Sequence, residues 1–224
     1  MASAYCQFEH PNLYFTKAEV TRSGDRDMIF RILFALAFIA MMAIRIYYQS
    51  QILRDKRKVE IKEDSVSLAA GALAALTSIV FGAEYLFCPG FFSFAYALPY
   101  PDWLRWLGAT LLAAGITLLG LAHHHLGESF HSLVVSKEYQ VLVETGPYRW
   151  IRHPIYTAYL MNYLGGGLLA RNLVLTFVPV TLYAVLVAIR LKKEEAVLRQ
   201  VFGEAYDVYT ARTGALLPRI KKHG

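Results

Sequence analysis

Cysteine and charge are scarce in this sequence. The 224 residues include two cysteines, Cys6 and Cys88, which lie in different segments and do not have the spacing of a disulfide framework or a thiolate metal site. Charged residues make up 18% of the chain and hydrophobic residues 56%. Because soluble domains carry about 25% charged residues, this composition disfavours an ordinary soluble domain.

Basic residues are absent from one long segment, Cys88 to Trp103, but frequent in two others. The segment after the first apolar run carries Arg54, Lys56, Arg57, Lys58 and Lys62, and the C-terminal tail is also basic. The positive-inside rule therefore predicts that the N-terminus is outside and the C-terminus cytoplasmic. This topology, with anionic lipid headgroups as partners, explains the net charge of +6, and no basic groove or motif indicates nucleic-acid binding.

The first 28 residues lack the short apolar core and small-residue cleavage site of a secretory leader, so we expect the first apolar run to remain in the protein. Long apolar runs are abundant beyond that point, and each is near the ~20 residues that a membrane-crossing helix needs. The runs are Ile29 to Tyr48, Val66 to Cys88, Leu104 to Ala122, Ile155 to Ala170 and Leu173 to Ile189. The sequence thus predicts an all-α integral membrane protein with about five transmembrane helices.

Three regions follow from these runs. Residues 1–28 form a polar N-terminal extension, and residues 29–122 hold the first three helices. Residues 123–224 form the candidate functional region, which contains a helical hairpin and a C-terminal segment. Within the second run, Ala70, Ala74, Ser78 and Gly82 recur at every fourth residue, which predicts a closely packed helix face.

The segment GPYRWIRHPIY, from Gly146 to Tyr156, places two arginines and a histidine just before an apolar run. Pro154 is suited to the first position of that helix, whose free N–H groups and dipole favour an anion beside Arg152 and His153. The alternative is that Arg149 and Arg152 only fix topology, while the neighbouring aromatic residues anchor the helix at the interface.

A second polar segment, Lys192 to Tyr209, has the spacing of an amphipathic helix. Glu195 falls on its apolar stripe with Leu198 and Phe202. A carboxylate on a packing face needs a partner, which an arginine or a bound ligand would supply. We therefore expect the apolar face of this helix to pack against other parts of the protein.

Together the segments LV-x-x-GPYR-x-x-RHP-x-Y and EE-x-x-L-x-x-x-FG-x-x-Y-x-x-Y, with a helical hairpin between them, resemble the integral-membrane isoprenylcysteine carboxyl methyltransferases and their phospholipid methyltransferase relatives. The resemblance covers His123 to Pro218. It implies S-adenosylmethionine as the methyl donor, bound in a cytoplasmic pocket that the C-terminal amphipathic helix closes. It also implies a lipid-like acceptor that enters from the bilayer, such as a prenylcysteine carboxylate.

The resemblance also implies residue roles. Cofactor contacts would come from His123, Gly127, Leu142, Val143, Gly146, Tyr148, His153, Pro154, Tyr156 and Glu195, with Glu194 as a further candidate. Arg152 would face the acceptor carboxylate, with Arg190 or Arg212 as helpers. Because a carboxylate is already ionised at neutral pH, methyl transfer to it depends on alignment more than on a base. Tyr148 and Tyr156 could stabilise a sulfonium by cation–π contact, or only anchor the interface.

Other functions remain open from the sequence. Methylation of a phospholipid amine would need a base, and Glu194 is the obvious candidate. Sterol reductases share an RHP-x-Y region but bind NADPH, and a non-enzymatic membrane protein would use the arginines for topology alone. We expect no metal, because His123, His124, His125 and His131 do not make a converging ligand set. The membrane would be prokaryotic cytoplasmic or endoplasmic reticulum, where Lys221 and Lys222 resemble a retrieval signal.

Overall fold

The computed structural model describes residues 17–54, 65–96, 101–130 and 141–219. The described residues form six α-helices: α1 (Lys17–Arg54), α2 (Ser65–Phe87), α3 (Asp102–Phe130), α4 (Pro154–Ala170), α5 (Leu173–Phe202) and α6 (Glu204–Arg212). Short 3₁₀ turns cover Ser93–Tyr96 and Gly146–Arg149. In these ranges the only β-type pairing is an isolated bridge between Ile151 and Gly214. The predicted all-α class is confirmed.

Four of the described helices are long and apolar enough to cross a membrane, one fewer than the sequence predicted. They are Asp27–Tyr48, Ser65–Phe87, Asp102–Leu126 and Leu173–Phe202. The remaining predicted span lies in α4, which has 17 residues and is therefore about 25 Å long, less than the ~30 Å of a bilayer core. Four of the five predicted spans are therefore supported, and the fifth, in α4, which packs against α3 and α5, stays a prediction.

Glycines allow α3 and α4 to come into backbone contact. A Cβ added at Gly165 would lie 2.8 Å from the carbonyl oxygen of Gly108, and one added at Gly115 would lie 2.5 Å from Oδ1 of Asn162. No larger side chain fits at these positions without displacing the helices, so the glycines hold α4 against α3. In the small-residue stripe of α2, Ala70, Ala74 and Gly82 are buried, as the spacing predicted.

A buried arginine, Arg105, contacts the C-terminal end of α4 and also contacts α1 and α2. Arg105 in α3 donates through Nε to the carbonyl of Leu169 at 3.1 Å and through Nη2 to the hydroxyl of Tyr85 at 3.1 Å. It also pairs with Asp27 and lies 3.8 Å from the ring centre of Phe30. These contacts join α1, α2, α3 and α4 at the end far from the RHP motif.

The C-terminal helices differ from the expected boundaries. We predicted a span ending at Ile189 and a separate amphipathic helix from Lys192, but α5 is continuous to Phe202 and the break comes at Gly203. Gly203 has φ +55°, a left-handed conformation that favours glycine, and its N–H donates to the carbonyl of Arg199 at 2.9 Å. Glu194 and Glu195 are therefore carried on the same helix that crosses the membrane.

Candidate functional site

The RHP motif is positioned by a tight turn. Gly146 begins the 3₁₀ turn with φ +57°, and a Cβ placed there would come within 2.2 Å of Cδ2 of His125. His125, near the end of α3, also contacts Thr145 through Nδ1 at 3.2 Å. The turn is thus held against α3 at a residue that has to be glycine, and the chain then runs into Pro154, the first residue of α4.

A C-terminal segment, Thr213–Leu217, covers the start of α4, and we call it the C-terminal strap. Gly214 accepts a hydrogen bond from the N–H of Arg152 at 2.9 Å, and Ala215 accepts one from the N–H of His153 at 3.0 Å. The side chain of Thr157 donates to the carbonyl of Leu216 at 2.6 Å. The strap satisfies donors at the helix start, so the backbone N–H of His153 is not left for the anion expected there.

Arg152 is fully engaged within the protein. Its Nε and Nη2 donate to the same oxygen of Glu195, Oε1, at 2.9 and 2.8 Å. Its Nη1 donates to the carbonyl of Thr213 at 2.6 Å, which fixes the strap to the same guanidinium. The side chain is 11% exposed. The carboxylate of Glu195 was expected to need a partner, and this partner is Arg152.

His153 lies between two carboxylates. Its Nδ1 is 3.6 Å from Oε2 of Glu194, and its Nε2 is 3.4 Å from Oε1 of Glu195. Nε2 is buried, and that contact lacks hydrogen-bond geometry. Burial lowers the pKa of His153, an effect that the Glu195 carboxylate opposes and the nearby Arg152 reinforces. A neutral imidazole carries one N–H, so the two ring nitrogens cannot both donate to the carboxylates at once.

Tyr156 completes this side of the site. Its hydroxyl donates to Oε1 of Glu194 at 2.5 Å, and its ring stacks on His153 with 5.8 Å between ring centres. Arg190 lies one turn before Glu194 on α5, close enough for its charge to act on Glu194 and on the Tyr156 hydroxyl. The two predicted motifs therefore meet, with Glu194 and Glu195 facing the RHP-x-Y residues.

Two tyrosines of α6, Tyr206 and Tyr209, lie on the other side of the site. Tyr209 is buried and donates from its hydroxyl to the carbonyl of Tyr148 at 2.7 Å. Tyr206 is fully buried, and its hydroxyl lies near Arg152 and Glu195 without a hydrogen bond of good geometry to any group in the described ranges. Burial is the main cause that raises the pKa of Tyr206 to about 12, so its phenol remains a proton donor at neutral pH. The sequence pattern had included both tyrosines without assigning them a role.

Several predicted residues lie outside this cluster. Arg212 pairs with Glu144 and is 54% exposed, so it does not join Arg152. His123 stacks on Tyr48 with 4.5 Å between ring centres. Leu142 and Val143 are half-buried in the segment before the turn, and Gly127 lies in the last turn of α3. Tyr148 and Pro154 are both buried at the site, the first in the turn and the second at the start of α4.

The adjacent histidines of α3 have different neighbours. His123 faces Tyr48, whereas His125 faces Thr145 and the turn. In the part of the chain that the structure describes, no group of three or more His, Cys, Asp or Glu side chains is placed to hold a metal ion. His131 lies outside the described residues.

The chain is similar to known proteins over this region. A model of the isoprenylcysteine carboxyl methyltransferase family matches residues 106–200. The chain is 30% identical over 116 residues to the nickel-cobalt-cadmium resistance protein NccN of Alcaligenes xylosoxydans xylosoxydans, covering 51% of this chain and 53% of that protein.

It is also 30% identical over 155 residues to the protein-S-isoprenylcysteine O-methyltransferase of Saccharomyces cerevisiae, covering 68% of this chain and 63% of the yeast protein. With protein-S-isoprenylcysteine O-methyltransferase B of Arabidopsis thaliana, 30% identity extends over 156 residues, 66% of this chain and 73% of the plant protein. The chain thus spans about half the length of NccN and nearly three quarters of the plant enzyme.

Proposed function

Since this chain belongs to the isoprenylcysteine carboxyl methyltransferase family, we propose that it is a membrane methyltransferase that uses S-adenosylmethionine to methylate the carboxylate of a lipid-like acceptor. A prenylcysteine or a similar lipid carboxylate is the acceptor we favour. The observation that carries the proposal is the meeting of the RHP-x-Y and EE motifs, with His153 between Glu194 and Glu195.

The side chains present fit this cofactor. S-adenosylmethionine carries an ammonium, a carboxylate and a positively charged sulfur, and the site offers carboxylates, arginines and tyrosine rings for them. Two buried polar atoms, His153 Nε2 and the Tyr206 hydroxyl, make no hydrogen bond within the described residues and would gain partners from a bound ligand. Glu195, His153 and Tyr156 are the residues that we assign to the cofactor.

The structure changes which arginine we assign to the acceptor. The family resemblance implied this role for Arg152, but its donors are directed to Glu195 and to the carbonyl of Thr213. We therefore propose that Arg152 orients Glu195 and holds the C-terminal strap, and that Arg190 attracts the acceptor carboxylate. Arg190 lies on α5 beside Tyr156 and Glu194. Arg212 has no part in this proposal, because it pairs with Glu144 at the exposed edge.

The chemistry needs alignment rather than proton transfer. When bound, the cofactor supplies a methyl group on sulfur, and transfer forms a bond to a carboxylate oxygen as the carbon–sulfur bond breaks. No proton is released, because the acceptor is ionised at neutral pH. The protein's part is to hold the carboxylate in line, exclude water under the strap and α6, and keep Glu195 in place through Arg152.

One observation favours a second function, methylation of a phospholipid amine. That reaction must remove a proton from an ammonium, and His153 is a buried imidazole whose lowered pKa keeps it unprotonated, with Glu194 only 3.6 Å away. A histidine backed by a carboxylate is a competent proton acceptor. The carboxylate acceptor remains our first choice because the named relatives in yeast and Arabidopsis are isoprenylcysteine O-methyltransferases.

Transfer of a labelled methyl group by the purified protein in lipid vesicles tests the proposal. The acceptors are a prenylcysteine analogue, a long-chain fatty acid and phosphatidylethanolamine, and Glu195→Gln is the matched variant. We expect a base-labile methyl ester on the carboxylate acceptors and a strong reduction in the variant. Label on phosphatidylethanolamine alone would favour the amine reaction. Binding of NADPH but not of S-adenosylmethionine would overturn the methyltransferase proposal in favour of a reductase, and binding of neither would indicate a non-enzymatic protein.

A further inference from the structure

A cavity of about 50 Å³ lies inside the helix bundle, away from the candidate site. Its walls are almost entirely apolar and come mainly from α1, α3 and α4, including Phe34, Phe38, Met41, Leu112 and Ile116. A single buried water needs about 10–15 Å³ of such space and two to four polar partners. The cavity is larger than one water requires, and its walls offer few polar groups.

Asn162 is the exception on these walls. Its side chain is 5% exposed, and within the described residues neither Oδ1 nor Nδ2 has a hydrogen-bond partner. Gly115 lies so close that a Cβ there would approach Oδ1 to 2.5 Å, so the amide is confined between α3 and α4. The nearby hydroxyl of Ser78 donates to its own helix at Ala74 and retains an accepting lone pair. An unpaired amide in an apolar membrane interior is costly, which indicates that a ligand group completes it.

Packed tyrosine rings lie between this cavity and the candidate site. Tyr163 lines the cavity, and its ring centre is 5.3 Å from that of Tyr183 on α5. Tyr183 in turn lies 6.3 Å from Tyr156, which binds Glu194. Along α4, six residues separate Tyr156 from Asn162, a rise of about 9 Å. A lipid that lies along α4 with its polar end level with Tyr156 would therefore have the middle of its chain level with Asn162.

We propose that Asn162 and its cavity form a specificity site for a hydroxyl group in the middle of a lipid chain. A hydroxyl both donates and accepts, so it can satisfy Oδ1 and Nδ2 of one amide together, whereas a carbonyl satisfies only the donor. The inference rests on the proposed function, because it describes the tail of the acceptor whose head lies beside Tyr156. It adds that, among the lipid carboxylates proposed as acceptors, one with a hydroxylated chain binds more tightly than one with an unsubstituted chain.

Direct binding tests this inference without requiring methyl transfer. The probes are a labelled fatty acid with a mid-chain hydroxyl and the unsubstituted fatty acid of equal length, each bound to the full-length protein in detergent. We expect the hydroxylated chain to bind about tenfold more tightly, the size expected for hydrogen bonds inside membrane proteins. Asn162→Leu should abolish or reverse the preference while keeping the affinity for the unsubstituted chain.

Ile116→Val is the matched control, because it alters the volume of the same cavity without changing its polarity, and we expect it to keep the preference. Equal binding of the two probes by the unaltered protein, or a preference that survives Asn162→Leu, would overturn the inference and leave the cavity as a site for water. If the preference is present but neither probe accepts a methyl group, the specificity site stands and the proposed function fails. Should Asn162→Leu not fold, Asn162→Ser, a smaller side chain with a single polar group, is measured instead.

Discussion

Arg152 and Glu195 form a salt bridge in which one carboxylate oxygen lies 2.9 Å from Nε and 2.8 Å from Nη2 of the guanidinium. Nη1 of the same guanidinium donates a hydrogen bond to the carbonyl of Thr213 in the strap. The residues come from the start of α4 and the C-terminal half of α5, so the pair also fixes how those two helices meet. Glu195 is 24% exposed, which leaves part of its carboxylate open to a ligand.

Replacing Glu195 with Gln should weaken binding of S-adenosylmethionine by about tenfold or more. The substitution removes a charge-assisted hydrogen bond, which contributes about 1.5–3 kcal/mol, while preserving the shape of the side chain. Titration calorimetry on the purified protein gives the affinity. Glu204→Gln is the control, since Glu204 is exposed at the start of α6 and should bind cofactor normally. Equal affinities in both variants would remove Glu195 from the cofactor site.

Arg152→Lys should destabilise the protein as well as weaken the site. A lysine amine is a compact donor that cannot serve Glu195 and Thr213 in the fork geometry of a guanidinium. Breaking a fully buried pair costs about 3–5 kcal/mol, and because these side chains are partly exposed we expect about 1–3 kcal/mol in the free energy of unfolding. Unfolding in detergent measures it. Unchanged stability would mean that Arg152 does not hold the strap.

Two glycines with similar positive φ angles differ in what surrounds them. Gly146 has φ +57° and Gly203 has φ +55°, but only Gly146 has a neighbour, His125, within reach of an added Cβ. Gly203→Ala should therefore cost about 1–3 kcal/mol, the penalty of a sparsely populated backbone conformation alone. Gly146→Ala should cost clearly more and also reduce cofactor affinity. If the two variants unfold alike, His125 does not restrain the turn.

Stability should fall as the pH is lowered below about 6.5, the ordinary pKa of histidine. Burial lowers the pKa of His153 in the folded protein, despite the facing carboxylates of Glu194 and Glu195, and Arg152 acts in the same direction as burial. The unfolded chain therefore binds this proton at a higher pH than the folded chain, and acid favours unfolding. His153→Gln should reduce the slope of stability against pH in this range. A slope that the substitution leaves intact would assign the effect to other groups.

The orientation in the membrane can be tested by cysteine labelling in a Cys6→Ser and Cys88→Ser background, needed because Cys88 is an exposed thiol. Ser93 lies in the turn after α2 and Ala205 in α6, and both are exposed. An impermeant thiol reagent should label Ser93→Cys in intact cells and Ala205→Cys only after permeabilisation. The reverse result would place the site outside the cytoplasm.

Much of the fold could be predicted because the bilayer imposes helix length and composition. Pro154 correctly indicated the start of α4, and the spacing of Glu195, Leu198 and Phe202 correctly indicated one inward face. The predicted break after Ile189 was wrong because hydropathy falls where a helix leaves the membrane, not where its hydrogen bonds end. The contact between Gly108 and Gly165 could not be predicted from the sequence, because the two residues lie on different helices whose packing the sequence does not specify.

The site was predictable in its motifs but not in its pairings. Both motifs were recognised, and the sequence predicted that Glu195 needs an arginine or a ligand as its partner. It did not indicate that Arg152 is this partner, because the sequence contains several arginines that could pair with this carboxylate. The strap was missed for a different reason. Its contacts to Arg152 and His153 use backbone carbonyls of Gly214 and Ala215, which every residue type possesses, so no side-chain pattern marks them.

The strap is synthesised after the helices that it contacts. The residues that cover the start of α4 leave the ribosome after α4, α5 and α6, so the newly inserted protein passes through a stage in which Arg152 and His153 are in place and their backbone N–H groups are uncovered. The site is therefore completed only after the helices that carry its side chains have been synthesised. A cell that halts translation before Thr213 would hold a membrane-inserted bundle without its finished pocket, which separates insertion from the onset of activity in time.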